Sequence, residues 1–124
     1  MTRTRQDLGQ AGERLAEQYL KRHGLKTIAR RFKTPTGELD LVMRDGEAVV
    51  FVEVKTRADR ELVDPQDTLR GPQRRHLTKA ARWFIHHKRW DDKPCRFDVV
   101  AVVLPPGGEA EIEHFPDAFL PSDR

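Results

Sequence analysis

The sequence predicts one α/β domain, residues 1–124, with elements in the order αβββαββ. Three observations carry that prediction. Apolar residues recur at three- and four-residue steps in two segments, β-rich runs bounded by turn residues fill the space between and after them, and 124 residues leave room for a single core.

The first helix spans Asp7 to Arg22, where Leu8, Ala11, Leu15, Ala16, Tyr19 and Leu20 form one stripe and Gly24 is placed to end it. Lys26 to Lys33 mixes Ile28 and Phe32 with basic residues and reads as an edge strand. Glu38 to Met43 alternates acidic with apolar. Ala48 to Thr56 is β-rich, and the Asp45-Gly46 pair between the two runs signals a two-residue hairpin turn. Ala58 to Gly71 is polar and aperiodic, a loop of the length that often belongs to a binding site. Pro72 suits the first turn of a second helix running to about Trp90, with Leu77, Ala80, Ala81, Phe84 and Ile85 on its apolar side. Arg96 to Leu104 is an apolar strand. Pro105-Pro106-Gly107-Gly108 then turns the chain toward a charged edge segment, Glu109 to His114.

Composition narrows the function. Hydrophobic residues make up 37% and charged residues 35%, the balance of a small core under a large polar skin. The net charge of +3 leans toward polyanionic partners. One cysteine, Cys95, forms no internal disulfide and is far from a cysteine-based zinc site, so a reducing compartment is expected. Met1 to Gln10 lacks an apolar signal segment, and the longest apolar runs fall well short of the roughly 20 residues a spanning helix needs. A soluble cytoplasmic protein without a membrane partner is expected. His23, His76, His86, His87 and His114 show no ligand spacing, and neither a P-loop nor a nucleophile elbow is present.

Chemistry concentrates on the predicted hairpin. With Asp45 and Gly46 as the loop residues, Arg44 pairs with Glu47, Asp40 lies opposite Phe51 and diagonal to Glu53, and Glu38 lies opposite Glu53. Strand alternation puts Glu38, Asp40, Glu53 and Lys55 on one face. Like charges facing each other across strands are destabilising, and charges within a sheet are costly unless paired or bound to metal. Mg²⁺ suits one or two carboxylates such as Asp40 and Glu53, completed by carbonyl, water and phosphate oxygens. Lys55 then stands where it can stabilise a phosphorane-like transition state or favour a metal-bound hydroxide. The ordinary alternative is a solvated hairpin face with cross-strand ion pairs, and a bulge between Asp40 and Glu53 would break the convergence.

Gly37-Glu38-Leu39-Asp40-Leu41-Val42 and Phe51-Val52-Glu53-Val54-Lys55-Thr56-Arg57 resemble the bacterial YraN family of predicted endonucleases. That family is placed in the PD-(D/E)XK restriction-endonuclease-like superfamily, near archaeal Holliday-junction resolvases. Gly12-Glu13-Arg14 and Arg96-Phe97-Asp98-Val99-Val100-Ala101-Val102 extend the resemblance over most of the chain. The resemblance implies a three-layer α/β/α fold with a central mixed sheet. It implies Mg²⁺, with Mn²⁺ as a substitute, held by Asp40, Glu53 and the Val54 carbonyl, with Lys55 at the attacking water and Glu13 as a further catalytic carboxylate. Two departures stand out: Leu39 replaces the proline of the superfamily's Pro-Asp element, and Gln73 stands where relatives often place a Lys or Gln.

The second helix also carries a polar stripe, Arg75, Lys79, Arg82, His86 and Arg89. With Gln73, Arg57 and the basic residues Arg3, Arg5, Arg30, Arg31 and Lys33, it favours DNA, and less strongly RNA, held through phosphates. The leading expectation is a metal-dependent endonuclease acting on DNA, with branched or structured DNA and a homodimer suggested by the resolvase analogy. The alternatives are a catalytically silent nucleic-acid-binding module and a protein-interaction adaptor.

Overall fold

The computed structural model describes residues 4–58 and 71–119. The expected loop lies almost wholly outside them, at 59–70, as does Arg3. Helix α1 (Arg5–Arg22) is followed by β1 (Lys26–Thr34), β2 (Gly37–Asp45) and β3 (Ala48–Arg57); then come α2 (Gly71–Lys88), β4 (Cys95–Val103) and β5 (Glu111–Phe119). Helix α1 begins two residues before the expected start at Asp7 because Thr4 caps it, its hydroxyl accepting from the Asp7 amide at 3.0 Å.

The strands form one sheet in the order β1-β2-β3-β4-β5. Strands β3 and β4 are parallel, and the other pairs are antiparallel. The parallel pair requires a crossover, which α2 lies within. Each helix closes one face. Ala16, Leu20 and Leu25 pack with Leu41, Met43, Val50, Val52, Val100 and Val102 on the α1 face. Ala80, Ala81 and Phe84 pack with Leu39, Val42, Val49, Phe51, Phe97 and Val99 on the α2 face. Phe84 is fully buried, edge-on to Phe32 at 5.0 Å and Phe51 at 5.9 Å; truncation of such a side chain costs about 3–5 kcal/mol.

The hairpin register differs from the expected one. Asp45 pairs with Ala48 and Val42 with Phe51, so the turn residues are Gly46 and Glu47. Gly46 has φ +59° and Glu47 is not among the residues with positive φ, the pattern of a type II′ turn, which wants glycine first; the Asp-Gly reading assumed type I′. The shift moves every pairing by two residues, so strand faces are kept while partners change. Glu38 is therefore not opposite Glu53. It pairs with Lys33 on β1.

A second irregularity matters more. Arg30 reaches α1, donating from Nε to Glu17 at 2.8 Å, whereas Phe32, two residues on, packs against α2. Leu39 lies on the α2 face and Leu41 on the α1 face. Both strands thus exchange faces at Arg31 and Asp40, between the pairs Arg30–Leu41 and Phe32–Leu39. Arg31 carries the distortion, with φ +47°, a conformation costing a non-glycine residue on the order of 1 kcal/mol.

Asp98 on β4 is fully buried. Arg96 Nε donates to it at 3.0 Å, His114 Nε2 lies 2.7 Å away, and the Asp117 amide donates at 2.9 Å. These bonds hold β5 where its register with β4 slips between Phe97 and Val99.

Candidate active site

The last paired residues of the β2–β3 ladder are Leu41 and Val52. Extending that register by one step sets Asp40 opposite Glu53. Pairs alternate in an antiparallel ladder, and this one falls at a non-hydrogen-bonded position, where side chains approach most closely. The next ladder bond is replaced: the Val54 amide donates at 3.0 Å to Asp40 Oδ2 instead of to a β2 carbonyl. A strand residue directs its N–H and C=O to the same side, so the Val54 carbonyl also faces this carboxylate. The face exchange at Asp40 makes the substitution of side chain for backbone available.

The two carboxyl groups are hydrogen-bonded to each other, and both are pushed above the ordinary carboxyl range. Burial, then the Asp40 charge, push Glu53 up to about 8, against the lowering effect of Lys55. Burial likewise raises Asp40, opposed by the Val54 amide, the Glu53 hydrogen bond and Lys55. Glu53 therefore keeps its proton at neutral pH and donates it to Asp40. Lys55 Nζ lies 3.3 Å from Glu53 Oε1, with both side chains mostly buried.

Glu13 comes from α1. Gly12 makes its approach possible, since a Cβ there would fall inside the contact radius of Thr56 Oγ1 on β3. Burial and the Asp40 charge raise Glu13, against the pull of Arg31, whose Nε is 3.1 Å from Glu13 Oε1. Arg31 Nε is also 3.9 Å from Glu38 Oε1, so Glu38 belongs to the rim through Arg31. Arg31 is the residue the sequence reading undervalued, counted there only as added positive charge. Its signal was its place opposite Asp40 on an edge strand, visible only once the register is known.

Glu13, Asp40, Glu53, Val54, Lys55 and Arg57 line one cavity, which continues past Asp40 to Arg14, Arg30 and Arg31. Arg57 donates from Nη1 to the Thr56 carbonyl at 2.9 Å. Gln73, Arg75, Lys79 and Arg82 are not brought into that cavity among the described residues; they lie on α2, with Gln73, Arg75, Lys79 and Arg82 all solvent-exposed.

No group of three or more His, Cys, Asp or Glu side chains among the described residues forms a metal cage. Mg²⁺ does not require one, because it is usually held by one or two carboxylates with carbonyl, water and phosphate oxygens. A pair of carboxyls that retains a proton at neutral pH, beside a carbonyl facing the same space, is a donor set of that kind. Among the described residues no helix is long and apolar enough to cross a membrane.

The model of the uncharacterised protein family UPF0102 matches residues 12–102. A UPF0102 protein of Syntrophotalea carbinolica is 44% identical over 119 residues, covering 96% of each chain. One from Geobacter metallireducens is 42% identical over 112 residues, 90% of this chain and 91% of that one. One from Anaeromyxobacter dehalogenans is 44% identical over 117 residues, 93% and 85% of the respective chains. The matched span opens at the Gly12 contact and takes in Glu13, Asp40, Glu53 and Lys55, and on these matches the chain belongs to the uncharacterised protein family UPF0102.

Proposed function

We propose that this protein is a metal-dependent endonuclease that hydrolyses DNA phosphodiester bonds from a single restriction-endonuclease-like α/β/α domain. The observation that carries the reading is the placement of Asp40 and Glu53 opposite each other at the end of the β2–β3 ladder, with the Val54 amide on Asp40 and Lys55 3.3 Å from Glu53. Lys55 and the Val54 amide offset part of the charge of this pair, and a divalent cation between the two carboxyls would offset the rest.

In this reading Asp40, Glu53 and the Val54 carbonyl hold Mg²⁺ or Mn²⁺, which supplies a Lewis acid for the phosphoryl oxygen and lowers the pKa of a bound water. Lys55 orients the attacking water and offsets charge growing on the phosphoryl group. Glu13 sits where it can accept a proton from that water, directly or through an intervening one. Arg31, with almost half of its side chain exposed, is released from Glu13 to meet a phosphate oxygen. Arg57 at the cavity and Gln73, Arg75, Lys79 and Arg82 on α2 hold flanking phosphates.

The test is cleavage of duplex, nicked, flapped and four-way DNA with Mg²⁺ or Mn²⁺. Asp40→Asn, Glu53→Gln and Lys55→Ala proteins, checked for folding, are expected to lose on the order of 10²–10³-fold in rate. Cleavage that survives all three substitutions, or its absence on every substrate, would overturn the proposal. Chelator-insensitive binding with a steep salt dependence and no cleavage would point to a silent nucleic-acid-binding module instead.

A further inference from the structure

Trp83 is the only large hydrophobic side chain exposed among the described residues, at 36%. Its ring stacks on His87, one helical turn on, with centroids 4.8 Å apart and planes 10° from parallel. Phe32 of β1 lies 5.9 Å from it on the other side of the α2–β1 seam. The two elements meeting there contain no carboxylate: α2 carries Arg, Lys and His as its only ionisable residues, and β1 carries Lys and Arg alone. Carboxylates reach these elements from outside them: Asp91 lies 3.9 Å from His86, Glu38 pairs with Lys33 in register, and Glu13 and Glu17 of α1 hold Arg31 and Arg30. A solvent-exposed aromatic pair on a helix whose own ionisable residues are all basic is complementary to a polyanion that itself carries flat aromatic groups.

The seam is also placed for the site. Phe32 directly follows Arg31, the residue opposite Asp40, and strand alternation puts Glu53 and Lys55 on Phe51's side of the sheet, the side α2 covers. Because β1 is an edge strand, no further strand stands between Arg31 and solvent.

We infer that Trp83 and His87 form a stacking platform for an unpaired nucleobase of DNA flanking the phosphate held at Asp40 and Glu53. The inference rests on the nuclease reading and adds a substrate class to it: DNA with a single-stranded segment next to the cut. Within duplex DNA the base faces are already stacked on one another and are not offered to a protein ring. At a flap, gap or junction they are offered, and stacking on an aromatic side chain is indifferent to base identity.

The test uses the full chain carrying Glu53→Gln, with chelator present, and two labelled probes: oligodeoxythymidylate and a duplex of matched length. Oligodeoxythymidylate is expected to quench tryptophan emission in this protein and much less in a Trp83→Phe version. Trp83→Ala and His87→Ala should each weaken its binding by about five- to thirtyfold. Duplex affinity should change by no more than about twofold, and the slope of log affinity against log salt should stay the same, because no lysine or arginine is removed. His87 is exposed, so His87→Ala keeps the question open to measurement if Trp83→Ala fails to fold. Equal weakening on both probes, or on neither, overturns the inference; so does competition by polyglutamate as effective as by oligodeoxythymidylate of equal charge. Trp83-dependent single-strand binding without metal-dependent cleavage by the unsubstituted protein would remove the nuclease reading and leave the platform. Cleavage indifferent to Trp83 would do the reverse.

Discussion

Asp98 on β4 and Glu53 on β3 lie on adjacent strands of one sheet, and each has a basic residue two positions away: Arg96 before Asp98, Lys55 after Glu53. Both interrupt apolar runs. Their surroundings nevertheless differ in kind. Asp98 is met by Arg96, His114 and the Asp117 amide, so its charge is matched and its lone pairs are used. Glu53 is met across the strands by another carboxylate and keeps its proton at neutral pH. Among the described residues neither centre leaves a buried polar side-chain atom without a partner. What separates them is charge: one centre sets a single carboxylate against Arg96, His114 and a backbone amide, and the other sets two carboxyls against Lys55 and one backbone amide. The local spacing is the same in both; the cross-strand partner decides.

The sharpest way to break that contrast is to remove each carboxylate in turn. Asp98→Ala leaves His114 Nε2 and Arg96 Nε facing a vacated buried position, with Arg96 keeping only Asp45, and is expected to cost about 3–5 kcal/mol in urea unfolding. Asp40→Asn, which removes a desolvated charge while keeping an oxygen for the Val54 amide, should be neutral or stabilising without metal. Comparable losses for both would mean that the Asp40–Glu53 pair is structural.

Protonation offers the next test. Glu53 holds its proton up to about pH 8 when folded, but has an ordinary carboxyl pKa when unfolded. Its contribution is therefore fully present below about pH 4.5 and is lost as pH rises through about 8, with a slope of at most about 1.4 kcal/mol per pH unit. Asp40 and Glu13, shifted in the same direction, add to the fall. Glu53→Gln should flatten the profile. Near pH 8, millimolar Mg²⁺ should raise the thermal midpoint of the natural protein and leave that of the Glu53→Gln variant in place; a midpoint insensitive to Mg²⁺ in both would count against a metal centre.

A smaller effect is expected at Gly12→Ala, about 1–3 kcal/mol, because the added methyl meets the Thr56 side chain and pushes α1 from β3. Cleavage should fall more than stability alone accounts for, since Glu13 moves with the helix; activity following the folded fraction would argue against a role for Glu13. The smallest effect concerns the outer surface. Arg75→Ala and Lys79→Ala should each lower the salt slope of DNA binding by about one if they touch phosphate, with little change in stability.

The helices were legible because their apolar stripes repeat over several turns, and the site's residue types were legible because charges within apolar strand runs are costly enough to stand out. Register was less so. Asp45-Gly46 and Gly46-Glu47 are both acceptable two-residue turns, and choosing between them decides whether Glu38 or Asp40 faces Glu53. The structure brings Asp40, Glu53 and Lys55 together through a pairing other than the expected one and leaves Glu38 beside Lys33. The face exchange at Arg31 and Asp40 left no trace in the apolar pattern, because Leu39, Leu41 and Val42 read equally well on either face. Asp98 was equally opaque, since its decisive partner, His114, arrives from a strand sixteen residues on.

That face exchange has a consequence for how such a site can arise. Without Arg31 and Asp40, Arg30 would be followed by Phe32 and Leu39 by Leu41, and both strands would alternate between the two faces across this point. The pair is in effect a matched insertion, one residue in each strand, that preserves the ladder on either side. An ordinary amphipathic hairpin lies two codons away, and the distance between an inert sheet and one that presents a carboxylate to a cleft is a single rung.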